Sequence, residues 1–217
     1  MAHDEKGLAD LLMHGLKDMY YAEGKIQKAL PKMIAAAQDD ELRDGLDAHL
    51  KETGDQIGML EQAFKLLGEK PKGEKCDAIE GILKEGESLL EDFSGTAAGD
   101  AAIIFSCQAV EHYEIARYGS LRAYAELLGH DDVAGLMSQI LDQEAEADDL
   151  LSRVAEDRAN PMAAGEDEDG DEDGPAAKAQ SGKGAAGKAA AGKAKAADQT
   201  KGDQTKAKPA KGKTGAA

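Results

Sequence analysis

The sequence predicts an all-α fold, a bundle of four long helices with a shorter helix in the connection between the second and the third. Apolar residues recur at alternating spacings of three and four through four long stretches, which is the pattern of helices that bury one face. Residues 70–99 join the two halves and hold one short amphipathic stretch. The 217-residue chain ends in a low-complexity segment, residues 160–217, without such a pattern.

The first helix is predicted over residues 4–38, where the apolar side chains keep this rhythm except at Glu23. Packing alone would put an apolar residue there, because a buried unpaired carboxylate is costly. Glu23 therefore marks a helix that carries an acid toward the core. Pro31 lies inside the same pattern and is expected to kink or loosen the last turns.

The second helix is predicted over residues 41–68, with Gly68 as its C-cap. At about 100° per residue, His49 and Gln56 lie near one edge of its apolar stripe, and Glu52 lies roughly 40–60° beyond them. These three polar side chains share one flank of the helix.

The connection is predicted to contain a short helix over residues 76–93. Because the connection is long, it can return the chain so that the third helix runs parallel to the second. The third helix is predicted over residues 104–128 and the fourth over residues 132–156.

The third and fourth helices also carry acids on their core-facing sides. Glu111 and Glu114 occupy consecutive seam positions, Glu144 interrupts the fourth seam, and Asp148 lies one step around its face. In a chain with 43 acidic residues, a single such glutamate is ordinarily a solvated edge residue. Glutamates near the middle of all four long helices are better explained by one shared site: Glu23, Glu52, Glu111, Glu114 and Glu144.

The two helical hairpins look like two copies of one unit. In this repeat Glu23 corresponds to Glu114, and Glu52 with Gln56 corresponds to Glu144 with Asp148. Carboxylates gathered inside a four-helix bundle are the arrangement that holds two iron or two manganese ions. Without metal, their mutual repulsion would raise several pKa values or disrupt the centre. A two-metal carboxylate centre is therefore the leading hypothesis.

The sequence divides into one folded domain, residues 1–159, and a tail, residues 160–217, that we expect to be disordered. The tail begins with an acidic block and continues as a Lys/Ala/Gly repeat, a composition that cannot bury enough apolar area to offset chain entropy. Over residues 174–217, ten lysines against two acidic residues give a charge of +8. That charge predicts weak, salt-sensitive contact with nucleic acid.

Charge and cysteine usage limit the classes of protein. The net charge is −17 and the tail is nearly neutral, so residues 1–159 carry −18 and should repel nucleic acid. Cys76 and Cys107 are too few and too far apart for a disulfide framework or a thiolate zinc site. No signal peptide or membrane span is visible, and we expect a cytoplasmic protein without membrane contact.

Four ordered stretches carry a family resemblance over residues 6–156: LADLLMHGLKDMYYAEGKIQKALPKM, HLKETGDQIGMLEQAF, KCDAIEGILKEGE and LDQEAEADDLL. With these motifs the sequence resembles the YciF-like branch of the ferritin-like superfamily. The resemblance implies a ferritin-like four-helix bundle with a two-metal centre, a homodimer, and a link to bacterial stress responses.

Position by position, the resemblance implies four metal ligands: Glu23, Glu52, Glu114 and Glu144. Glu111 lies one helical turn before Glu114 and is a candidate for a further ligand or for a catalytic proton carrier. The sequence departs from the ferritin pattern because the Glu-x-x-His pair is absent from the second and fourth helices. Gln56 and Asp148 stand four residues after the acids there, and His49 is as good a candidate for a ligand as for a hydrogen-bonding group behind the ligands.

The functional hypothesis is a metal-dependent stress-protection protein whose two Fe or Mn ions react with O₂ or peroxide. Two alternatives stay open. One is a non-enzymatic oligomeric stress protein, and the other is a protein that associates with nucleic acid through its tail. The three differ in metal content and in their dependence on residues 160–217.

Overall fold

The computed structural model of the chain describes residues 5–165, and the regular structure in that range is helical. None of the helices described there combines the length and the apolar character needed to cross a membrane. The prediction of an all-α bundle of four long helices and one shorter helix is confirmed. The helices are α1 (Leu8–Ala36), α2 (Asp40–Leu66), α3 (Asp77–Phe93), α4 (Gly99–Leu127), α5 (Asp131–Val154) and α6 (Asn160–Ala164), with a π-helical turn (Ala155–Ala159) before α6.

Two helical hairpins form the bundle. α1 packs against α2 and α4 against α5, and contacts between α1 and α4 and between α2 and α5 close the four-helix arrangement. The short helix α3 lies outside this arrangement, against α4 and α1. Leucine, isoleucine and methionine from the predicted seams fill the interior on either side of the polar centre.

The direction of α4 is fixed by a buried carboxylate in its first turn. Asp100 accepts hydrogen bonds from the backbone N–H groups of Gln38 and Asp39, both at 2.8 Å. The start of α4 therefore lies beside the end of α1 and the start of α2. Consequently α4 runs parallel to α2 and antiparallel to α1, as the length of the connection predicted.

Two details differ from the sequence-based expectation. α1 continues through Pro31 as one helix, although the proline ring removes one backbone hydrogen bond from its last turns. At the other end, helical structure extends to Ala164, five residues beyond the predicted boundary, and ends at Gly165, whose φ of 77° caps α6. The rest of the predicted tail, residues 166–217, lies outside the described residues.

We predict that Asp100→Ala lowers the free energy of unfolding by about 2–4 kcal/mol, because each buried donor left without an acceptor costs about 1–3 kcal/mol. Urea denaturation followed by circular dichroism measures this loss. Asp92→Ala is the matched control, since Asp92 is exposed near the end of α3, and it should change stability by less than about 0.5 kcal/mol. Equal stabilities of the two variants would contradict the role given to Asp100.

Candidate metal centre

All four long helices contribute polar side chains to the interior of the bundle. These side chains point inward because they stand at the same alternating spacings of three and four residues as the apolar residues of each helix. Each of these side chains belongs to a residue that is at most 4% exposed. They are Glu23 from α1, His49 and Gln56 from α2, Glu111 and Glu114 from α4, and Glu144 from α5.

Four of these residues lie close enough to one another to bind a single metal ion. One candidate ligand atom from each of His49, Glu111, Glu114 and Glu144 lies within 4.8 Å of the other three. The Nε2 atom of His49 is 3.5 Å from Oε1 of Glu111. Glu23 adjoins this group: the charge of Glu144 helps to raise the pKa of Glu23, and the charges of Glu23 and Glu144 help to raise the pKa of Glu114.

The residues of the centre are left without partners inside the protein. Among the described residues, the buried polar and charged side chains include no lysine or arginine. In the same part of the chain nine buried side-chain nitrogen or oxygen atoms lack a hydrogen-bond partner, and eight of them belong to this centre. Buried polar atoms are nearly always paired in folded proteins, so this concentration fits a site for cations. Carboxylate oxygens with an imidazole nitrogen are donors that suit iron and manganese.

Two neighbouring side chains hold the carboxyl groups in position. Gln56 donates from Nε2 to Oε1 of Glu144 at 2.5 Å, and the fully buried Tyr118 donates from its hydroxyl to Oε1 of Glu23. In both carboxyl groups Oε2 stays without a partner. Each supporting residue therefore orients an acid and leaves one oxygen free for another ligand.

Burial dominates the electrostatics of the centre. It raises the pKa of Glu23 to about 8, assisted by the charge of Glu144 and opposed by the hydrogen bond from Tyr118. Burial is also the largest cause that holds the pKa values of Glu111 and Glu114 well above their usual range. The pKa of Tyr118 is likewise raised by burial and by the charge of Glu23, so its hydroxyl stays protonated and remains a donor.

Two of the candidate ligands, Glu52 and Asp148, are not among the buried residues of the centre. Glu52 has a side chain that is 41% exposed, with Oε2 3.9 Å from Nδ1 of His49, because it stands one position before the buried Thr53 and is rotated toward the surface. Asp148 is partly buried and pairs with the exposed His112 at 3.0 Å, while also accepting from Gln108. The position four residues after Glu144 is turned by about 40°, so Asp148 contacts Gln108 and His112 of α4. Its charge nevertheless helps to raise the pKa of Glu111.

His49 and Gln56 have different surroundings in the structure. His49 is buried within the group of four, whereas Gln56 is a hydrogen-bond donor to Glu144. The contact between Tyr118 and Glu23 was not predicted, because it joins α4 to α1 across 95 positions in sequence. The available signal was the seam position of Tyr118, one turn after Glu114.

The fold and this centre define a class of protein, a helical bundle with a buried carboxylate–imidazole cluster. A family model described as "Domain of unknown function (DUF892)" matches residues 7–164. The chain belongs to this family, and the expected YciF-like relationship is confirmed.

Relatives of known sequence and structure agree with this assignment. Protein YciF from Escherichia coli (strain K12) is 36% identical over 159 residues, which cover 73% of this chain and 96% of the relative. The structure of YcfI from Rhodopseudomonas palustris is 49% identical, with a TM-score of 0.68 over 71% of this chain and 99% of that one. The structure of the E. coli stress protein YciF is 35% identical, with a TM-score of 0.67 over 73% and 98% of the two chains.

The raised pKa of Glu23 predicts how the stability of the metal-free protein varies with pH. The carboxyl group titrates near 4.5 in the unfolded chain and at about 8 in the folded one, so its contribution is full below pH 4.5 and is lost as the pH rises through 8. We expect the free energy of unfolding to fall by several kcal/mol between about pH 5 and pH 8, at about 1.4 kcal/mol per pKa unit.

Urea denaturation in the presence of a chelator, repeated across this range, measures the slope. Glu23→Gln should make it shallower, because the amide does not titrate whereas Glu111 and Glu114 still do. Stability that rises with pH in the metal-free wild type would show that the centre is ionised in the folded state.

Proposed function

We propose that this protein is a metal-dependent stress-protection protein, whose buried centre holds two iron or manganese ions that react with O₂ or peroxide. The observation that carries the proposal is the set of eight unpartnered buried donor atoms on Glu23, His49, Gln56, Glu111, Glu114 and Glu144. A core that merely tolerated acids would pair those atoms, because each unpaired buried polar group costs about 1–3 kcal/mol.

The ligand assignment follows from the interior positions. Glu23, Glu114 and Glu144 are the carboxylate ligands, and His49 supplies the imidazole. Glu111 is a further ligand or a proton carrier. When bound, the ions supply redox chemistry and Lewis acidity at the centre, and they keep the surrounding carboxyl groups ionised.

The protein's own residues then have distinct tasks. As a proton carrier, Glu111 would hold and release a proton at Oε2, an atom without a partner inside the protein. Tyr118 fixes the orientation of Glu23, and Gln56 fixes that of Glu144. The apolar layers on either side of the centre limit the access of water.

The biological setting is proposed from the relatives. The E. coli relative is described as a stress protein, and we extend that role to this chain together with a cytoplasmic location and a homodimeric state. The non-enzymatic oligomer and contact with nucleic acid through residues 160–217 stay as the alternative hypotheses.

Metal analysis of protein purified from its native host tests the proposal. We expect the wild type to contain about two Fe or Mn ions per chain, with anomalous scattering at the corresponding absorption edge locating them at the centre. Glu114→Ala removes a fully buried ligand and should lower the metal content at least about ten-fold, given that even residues behind the ligands are worth 10–100-fold in affinity.

Glu126→Ala is the matched control, since Glu126 is exposed on the same helix and its removal should leave metal content unchanged. A wild-type protein with less than about one ion per chain, unaffected by Glu114→Ala, rules out the redox function and favours the non-enzymatic alternative.

A further inference from the structure

We propose that the pocket between α2 and α5 is the route by which divalent cations reach the buried centre. In this route Glu52 and Glu146 capture the ion at the mouth, and His49 and Glu111 receive it at the base. The inference rests on the proposed metal-binding function and assigns Glu52 and Glu146 to uptake, outside the final ligand set.

The pocket has a volume of about 200 Å³ and joins the surface to the centre. Its mouth carries Glu146, which is exposed, and Glu52, which is partly exposed. At its base lie His49 and Glu111, which are 4% and 2% exposed. The walls between them are formed mainly by small and apolar side chains: Leu42, Gly45, Leu46, Ala147, Leu150 and Leu151.

The base of the pocket contains potential metal-ligand atoms that have no hydrogen-bond partner. Both ring nitrogens of His49 and the Oε2 atom of Glu111 are buried and have no hydrogen-bond partner. The imidazole also links the mouth to the centre, because Nδ1 lies 3.9 Å from Oε2 of Glu52 and Nε2 lies 3.5 Å from Oε1 of Glu111. An ion held by Glu52 is therefore within one side-chain length of the inner ligands.

Charge and size both favour a hydrated cation over other solutes. Two carboxylates at the mouth of a strongly acidic domain attract divalent cations and repel anions. A buried water molecule needs on the order of 10–15 Å³, so the pocket can hold an ion together with several waters. The ion can then exchange those waters for protein oxygens and nitrogen one at a time.

The opposite side of the centre lacks these properties. A second pocket also ends at Glu111, beneath α3, but its volume is only about 30 Å³ and its walls are almost entirely apolar, with Ile26, Ile82 and Val110 among them. An ion without its hydration shell would pay a large desolvation penalty there. The α2–α5 pocket is consequently the favourable route.

The test measures how fast metal-free, full-length protein takes up cobalt(II) under anaerobic conditions and low salt. Visible absorption follows the replacement of water by carboxylate and imidazole ligands. The double variant Glu52→Gln/Glu146→Gln should take up the ion at least about ten-fold more slowly than the wild type. Its final number of bound ions should equal that of the wild type, since the inner ligands are intact.

Asp55→Asn/Asp142→Asn is the matched control. It removes the same charge from the same two helices at exposed positions outside the pocket, and its uptake rate should stay within about two-fold of the wild-type rate. Equal slowing in both double variants would show general attraction by the acidic surface and overturn the route.

Two further results are informative in different ways. A lower final number of ions in Glu52→Gln/Glu146→Gln would place Glu52 or Glu146 among the permanent ligands, which also overturns the route. If wild-type protein takes up no cobalt at all, the proposed metal function fails, and the route fails with it.

Discussion

The rest of the structure depends on one constraint: four glutamates are buried together in the described part of the chain with no buried lysine or arginine to balance their charge. Glu23, Glu111, Glu114 and Glu144 are each at most 2% exposed, and His49 is the one buried side chain in the described range that can carry a positive charge. Burial disfavours the ionised form and raises the pKa of three of these carboxyl groups. Protons or cations must therefore relieve the repulsion, and the stability of the bundle is coupled to whichever is present.

The supporting side chains hold the acids without satisfying them. Gln56 and Tyr118 each donate one hydrogen bond to one oxygen, on Glu144 and Glu23 respectively. The second oxygen of each acid has no partner, at a cost that a purely structural core would avoid. The combination of unpaired acid oxygens with oriented partners is best explained by an incoming ligand.

The helices and the seam glutamates could be predicted from the sequence, because both follow from the 3.6-residue period within a single helix. The place of Glu52 could be predicted only in part: its position beyond the edge of the apolar stripe was visible, but the 41% exposure of its side chain was not. The offset of 91 residues that relates Glu23 to Glu114 also relates Thr53, and not Glu52, to Glu144. Thr53 and Glu144 are both fully buried, and a shift of one residue turns a side chain by about 100°. The rotation of each helix about its axis depends on packing against three neighbours, which the period of one helix does not contain.

The same offset shows why the two halves of the centre are unequal. In the repeat, His49 is equivalent to Ile140 and Gln56 to Ala147. The nitrogen-bearing side chains of the centre therefore come from α2 alone. The α2–α5 pocket has His49 at its base and Ala147 on its wall, whereas Glu23 and Glu114 do not line it. The pair of acids that the repeat preserves thus lies deep in the bundle, and the part that differs between the halves faces the pocket. In the proposed route only the pocket side has to bind an ion while the ion is losing water, and the imidazole of His49 on that side supplies a ligand that the other half lacks.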